Sequence, residues 1–258
     1  MKLKLYIDEA GRWPLAGPVY VWIIIALKKF DDSVFQDSKK LTWKKREKIY
    51  ELILKLENEK KLLYSSWYAS NKEIDKIWII KSINLSIKRA FLDIIKKYLL
   101  LKEKKIMNGG NGDLIINYLE ITKLIKKAKS IKNGEKLLFE NNLFFSIIEK
   151  MKSLEKINGI IIDGNSDFGL SKDFGYNIKT IIKWDAKVSY IGGASIVAKV
   201  ERDRFMINLA NDYPYYLLER HKWYGTKKHI EAIEKYGLSP IHRKSFTKNI
   251  TINEIKKR

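Results

Sequence analysis

The chain opens on an alternating apolar pattern, Leu3, Leu5 and Ile7, that ends in two adjacent carboxylates, Asp8 and Glu9. A turn rich in Gly11, Arg12 and Pro14 follows, and then a second apolar run from Val19 to Leu27. No other stretch constrains the fold as tightly. Two acids at the end of a buried strand are costly unless their charge is compensated. A divalent metal held by oxygen ligands is the usual compensation. The other reading is a strand-end turn whose acids face water, and spacing alone leaves both open.

Composition bounds the rest. At 258 residues the chain is long enough for one large domain or two small ones, and a single domain is expected. With 45% hydrophobic residues it can bury a core. The apolar run at Val19 is far too short to span a membrane, and a strand pattern at the N-terminus leaves no expected leader; a cytoplasmic location is the default. The absence of cysteine excludes disulfides and thiolate metal sites, and three histidines do not make a histidine-rich zinc site. A net charge of +21 favours a polyanionic partner. Its alternative is generic surface lysine in the protein of an AT-rich genome.

Further blocks follow along the chain. Asp37-Ser38-Lys39-Lys40-Leu41 precedes Thr42, a suitable N-cap, and a helical pattern with Ile49, Leu52 and Leu54 apolar and Lys44, Arg46 and Lys48 polar. Leu62 to Ala69 reads as a strand, and a helix from Asn71 is expected to run to about Tyr98, with Lys88 and Arg89 solvated. Residues 99–154 read as lysine-rich helices broken by a glycine loop at 108–112 and by Gly134, the third stretch running from Lys136 to Met151. Gly159 to Asp163 is a β-branched strand stopped by Asp-Gly, and Thr180 to Asp185 is another strand ending in an acid. A helix then carries Gly192, Gly193, Ser195 and Lys199 on to Arg202-Asp203-Arg204. Gly192-Gly193 fits close helix packing better than a phosphate cradle. The last block, His221 to His229 and then Ile241-His242-Arg243-Lys244-Ser245-Phe246, holds all three histidines, which can serve as polar hinges.

Asp-Glu-Ala-Gly-Arg with Pro-Leu-Ala-Gly-Pro-Val, the Asp-Ser-Lys-Lys-Leu block, the Asp163 strand, the Asp185 strand with its Ala-Ser-Ile-Val-Ala-Lys-Val helix, and the Tyr-Gly-Thr segment occur in one order. Together they resemble the type 2 ribonuclease H family, ribonuclease HII in particular, over most of the chain outside 99–154. The resemblance implies an α/β, ribonuclease H-like fold: a mixed central sheet flanked by helices, with a helical C-terminal part. It implies catalytic, metal-binding carboxylates at Asp8, Glu9, Asp163 and Asp185, holding two Mg²⁺ or Mn²⁺ ions. Two such ions roughly 4 Å apart can clamp the attacking water and the leaving oxygen of a phosphodiester. It also implies substrate contacts at Gly11, Arg12, Trp13, Ser38, Lys39, Ser195, Lys199 and Tyr224. The expected partners are RNA–DNA hybrids and duplex DNA containing ribonucleotides, cut 5′ of the ribonucleotide by a monomer. Ribonuclease HIII is disfavoured, since no further domain precedes the first strand. Residues 99–154 are expected to be an insertion that widens a nucleic-acid contact or is neutral decoration.

The tryptophans depart from the family pattern. Trp13 and Trp223 stand where the family has glycine in Gly-Arg-Gly and His-Lys-Gly-Tyr-Gly-Thr, Trp184 precedes Asp185 where glycine is usual, and Trp67 and Trp78 fall at similar positions. Seven tryptophans with no evident core role accompany 14 glycines, below the usual ~7%. One expectation is that these are UGA codons read as glycine. The other is a remodelled pocket, or a catalytically impaired relative that binds hybrids without cutting.

Overall fold

The alternation in the first strand sets the layers. In a strand successive side chains leave on opposite faces. In β1 (Leu3–Ala10) this buries Leu3, Leu5 and Ile7 in one cluster and Tyr6 in another. The computed structural model describes residues 3–35, 41–131, 136–137, 140–154, 157–175, 178–181, 189–216, 223–248 and 250. β1 pairs antiparallel with β2 (Val19–Ala26), which pairs antiparallel with β3 (Leu62–Ala69). On its other edge β1 runs parallel to β4 (Ile157–Asp163), and β4 runs parallel to β5 (Ile178–Ile181). The order β3-β2-β1-β4-β5 is the expected mixed sheet.

Helices cover both faces. One side is packed by α2 (Asn71–Gly109), α3 (Gly112–Ser130), α4 (Asn141–Leu154) and the short α5 (Leu170–Phe174). The other side carries α1 (Trp43–Asn58) and α6 (Ser189–Asp212), whose Ile53, Leu56, Val197 and Val200 enclose Trp22. Gly193 lets α6 approach closely. A Cβ there would lie 3.1 Å from the ring of Phe35 in the turn Ser33–Phe35, so close packing holds at Gly193, against this turn rather than the sheet. A third cluster joins the end of α6 to α7 (Lys227–Tyr236) through Met206, Trp223 and Ile233. Among the described residues no helix is long and apolar enough to cross a membrane.

Several local expectations change. The helix from Asn71 continues past Tyr98 to Gly109, and the glycine loop shrinks to Gly110 and Asn111, with Asn111 capping α3 through Leu114 N–H at 3.0 Å. The third amphipathic helix starts at Asn141; parts of the chain before it lie outside the described residues, Gly134 included. Tyr118, Ile125, Phe144 and Met151 from the 99–154 segment join the cluster that holds Leu5 and Ile23. Lys88 is not solvated: it is fully buried. Arg89, expected solvated, is half-buried and pairs with Glu73 at 2.6 Å.

The Lys88 Nζ lies 3.0 Å from Asp173 Oδ2 and donates to Asn141 Oδ1 at 2.9 Å. Asn84 Nδ2 donates to Asp173 at 2.7 Å and to the Phe168 carbonyl at 2.9 Å. This network ties α2 to α4, to α5 and to the segment following β4. Burial draws the Lys88 ammonium below its ordinary pKa, against the pull of Asp173. Removing one member of such a pair strands the other charge. Lys88→Met should therefore cost about 3–5 kcal/mol in urea unfolding, and Lys88→Met with Asp173→Leu should recover most of that loss.

Candidate active site

Strand parity places the acids. Ile7 of β1 is level with Ile162 of β4, both in the same cluster, so the following residues, Asp8 and Asp163, leave the sheet on the opposite face, towards α6. The two strands are parallel, so these carboxylates stand side by side at their C-terminal ends, where α/β sheets open their ligand crevices. Asp8 is buried, and its Oδ1 accepts the Glu9 N–H at 2.8 Å. Burial, and then the neighbouring Asp8, pushes the Glu9 carboxyl up to about 8, with Asp163 adding to the rise and Arg12 opposing it. The three acids border one cavity of about 560 Å³. Among the described residues no three such side chains close on a single metal position, and Asp185 lies outside the described residues.

The turn after Glu9 is held from the far end of the chain. Arg243 is fully buried, and its guanidinium donates to the carbonyls of Gly11 (2.7 Å), Arg12 (3.1 Å), Gly17 (2.8 Å) and Pro18 (2.9 Å). Its backbone N–H donates to Leu15 O at 2.8 Å, Leu15 N–H donates to Trp223 O at 2.8 Å, and Gly17 N–H donates to Ile241 O at 2.9 Å. Gly11 has φ 91°, and a Cβ there would lie 2.9 Å from both Arg202 Nε and Pro18 O, so only glycine fits. Beyond it the Arg12 guanidinium sits 5.1 Å from the Trp13 ring and 5.8 Å from the Phe168 ring.

α6 supplies the opposite wall. Ser195, Ala198, Lys199 and Arg202 recur at helical spacing and line the cavity, with Asp203 beside them. Arg46 reaches in from α1 and Tyr224 from the segment before α7. The Arg202 guanidinium lies 5.8 Å from the Tyr224 ring. A buried histidine chain fixes the backbone at Tyr224. Ser239 N–H donates to His242 Nδ1 at 2.9 Å, which assigns the His242 proton to Nε2. That nitrogen faces His229 Nε2 at 3.1 Å, and His229 Nδ1–H donates to Tyr224 O at 3.0 Å. The two histidines are structural relays, a more definite role than polar hinges. Burial drives His242 down to about 4, although the Ser239 contact opposes it.

Nine of the residues singled out from sequence come together around this cavity: Asp8, Glu9, Gly11, Arg12, Trp13, Asp163, Ser195, Lys199 and Tyr224. Asp185, Ser38, Lys39 and Trp184 lie outside the described residues. The sequence reading gave no role to Arg46, Arg202, Asp203 or Arg243. Arg202 was legible as the next residue on the Ser195–Lys199 helical face. Arg243 stands in the last sequence block, but nothing local marked its role, because the carbonyls its guanidinium meets are more than two hundred residues away.

Comparison with known proteins gives a consistent picture. A family model described as Ribonuclease HII matches residues 5–132 and 104–249. A ribonuclease HII of Treponema denticola is 36% identical over 240 residues, covering 93% of this chain and 96% of that protein. Among solved structures, the ribonuclease H2 of Pyrococcus horikoshii shares the fold with a TM-score of 0.54 at 23% identity, covering 98% of this chain and 99% of that one. Bst-RNase HIII in complex with Mn²⁺ shares it with a TM-score of 0.52 at 14% identity, covering all of this chain and 71% of that one.

Two outcomes test the C-terminal clamp. Arg243→Lys keeps the charge but cannot fan across four carbonyls. It should lower stability by about 2–4 kcal/mol in thermal unfolding. The His242 shift makes stability depend on acidity. Between its unfolded value near 6.5 and its folded value of about 4, the unfolded chain binds a proton that the folded chain does not. Stability from this group is thus complete above about pH 6.5, falls on the order of 3 kcal/mol as pH drops to 4, and then levels. His242→Gln should flatten that part of the profile in urea midpoints taken at pH 7 and pH 5.

Proposed function

From the premise that this chain belongs to the ribonuclease HII family, we propose that it is a metal-dependent endoribonuclease acting on the RNA strand of RNA–DNA hybrids. On this reading it also cuts 5′ of ribonucleotides embedded in duplex DNA, leaves 3′-hydroxyl and 5′-phosphate ends, and works as a monomer. The observation that carries the proposal is the cavity at the ends of β1 and β4, where Asp8, Glu9 and Asp163 face a wall of Arg12, Arg46, Lys199 and Arg202. Acids alone would repel a polyanion. Acids inside a cationic rim suit a site that attracts a phosphate backbone and concentrates hard oxygen ligands at one point on it.

The donor set fits divalent metal in kind. It is carboxylate only, which suits Mg²⁺ or Mn²⁺ over softer ions. The raised Glu9 pKa reflects crowded, buried acids that a cation would relieve. Asp8, Glu9 and Asp163, with Asp185, would hold the metal, which would supply an activated water and charge neutralisation at the phosphate. The chain's own residues perform the rest. The turn fixed by Arg243 offers the backbone of Gly11 to Trp13 at the cavity mouth, where the 2′-hydroxyl is the group that separates RNA from DNA. Tyr224, held by the histidine chain and faced by Arg202, presents an exposed ring for stacking on the neighbouring sugar. On this reading Ser195 and Lys199, which line the cavity from α6, hold the phosphates beside the scissile bond.

The test is cleavage of a DNA duplex carrying one ribonucleotide, and of a long hybrid, with Mg²⁺ and then Mn²⁺. The chain and its Trp13→Gly/Trp184→Gly/Trp223→Gly variant run side by side. Cutting 5′ of the ribonucleotide by either protein supports the proposal. Asp8→Asn and Asp163→Asn should each lower the rate about 100-fold or more while leaving substrate binding in place. If neither protein cuts either substrate with either metal, the enzyme reading fails and a binding module takes its place.

A further inference from the structure

Of the six described tryptophans, Trp78 and Trp223 have positive φ, and Trp13, Trp22, Trp43 and Trp67 do not. Four described non-glycine residues have positive φ: Lys60, Trp78, Phe168 and Trp223. Half of these are tryptophan, in a chain with only seven. Trp78, at φ 66° and ψ 159°, interrupts α2. That region of backbone space is open essentially to glycine alone. Its indole is 59% exposed, so no burial offsets the strain. Trp223, at φ 72°, is fully buried, and its indole nitrogen is buried without a hydrogen-bond acceptor among the described residues. A bulky side chain in the left-handed region is a true outlier, and an unsatisfied buried N–H adds to the penalty.

Trp22 is the contrast. It lies in ordinary strand conformation in β2, paired with Asp8 on one side and Ser66 on the other. It is fully buried, stacked on Tyr20 at 5.2 Å, and its Nε1 donates to Glu201 Oε2 at 2.9 Å. This is a core made for an indole. The expectation that no tryptophan has a core role is therefore wrong at this position.

We infer that positions 78 and 223 carry glycine in the protein its own cell makes, their codons being UGA read there as glycine, whereas position 22 carries tryptophan. The inference rests on backbone geometry and does not depend on the proposed enzymatic activity. It bears on the site all the same. Residue 223 gives its carbonyl to Leu15 and immediately precedes Tyr224, so a glycine there would let the chain take the left-handed turn that sets Tyr224 at the cavity without strain. Position 223 is thus a positioning residue for Tyr224. At 78, glycine supplies the kink between the first turns of α2 and its long continuation.

Peptide mass spectrometry of the protein isolated from its source cells decides the question, since glycine and tryptophan differ by the whole indolylmethyl group. Glycine at 78 and 223 with tryptophan at 22 is the expected result. Tryptophan at either 78 or 223, or glycine at 22, overturns the inference. Thermal unfolding of the chain made with tryptophan throughout gives a second reading. Trp78→Gly and Trp223→Gly should each raise Tm by roughly 3–10 °C, whereas Trp22→Gly should lower it. A fall in Tm for Trp223→Gly, as when a genuine aromatic core site is emptied, also overturns it.

Discussion

Much of the site depends on one buried cation. The Arg243 guanidinium bridges four carbonyls of the turn between β1 and β2, and backbone bonds from Leu15, Gly17 and Arg243 complete the junction. Burial and the proximity of Arg202 draw Arg243 down to about 9 from the usual arginine range. A charge so far from water is tolerable because its donors meet acceptors that would otherwise be unpaired. In return, the turn gains a rigid frame that its own glycines and prolines do not provide.

The acids are placed by a different constraint. Parallel pairing of β1 with β4 aligns two strand ends, and strand parity turns Asp8 and Asp163 to the same face. α6 then brings Lys199 and Arg202 opposite them. Burial, and then the charge of Asp8 beside it, oppose the ionisation of Glu9 and raise its carboxyl.

Behind the sheet, a second polar network holds the far side of the same strand end. Lys88, Asp173, Asn84 and Asn141 join three helices and grip the Phe168 carbonyl, five residues beyond Asp163. Phe168 in turn faces Arg12. The cavity is thus supported from both ends of the chain and from the helical layer beneath it. Lysine abundance hid this arrangement in the sequence, because Lys88 looks like any of its solvated neighbours until α4 and α5 cover it.

The sequence by itself determined the strands, through the alternation of Leu3, Leu5 and Ile7 and the β-branched run to Asp163. It also marked the acids that end those strands, since carboxylates directly after apolar strands are chemically conspicuous. Tertiary structure alone decided that Arg46 and Arg202 join Arg12 and Lys199 opposite them, which histidines lock Tyr224, and that Arg243 holds the turn. It likewise separated Trp22, at home in the core, from Trp78 and Trp223, whose backbones ask for glycine. The reason is range: periodicity and turn chemistry act within a few residues. The partners of a buried guanidinium, the neighbours of a lysine and the sign of φ are set only when distant segments pack.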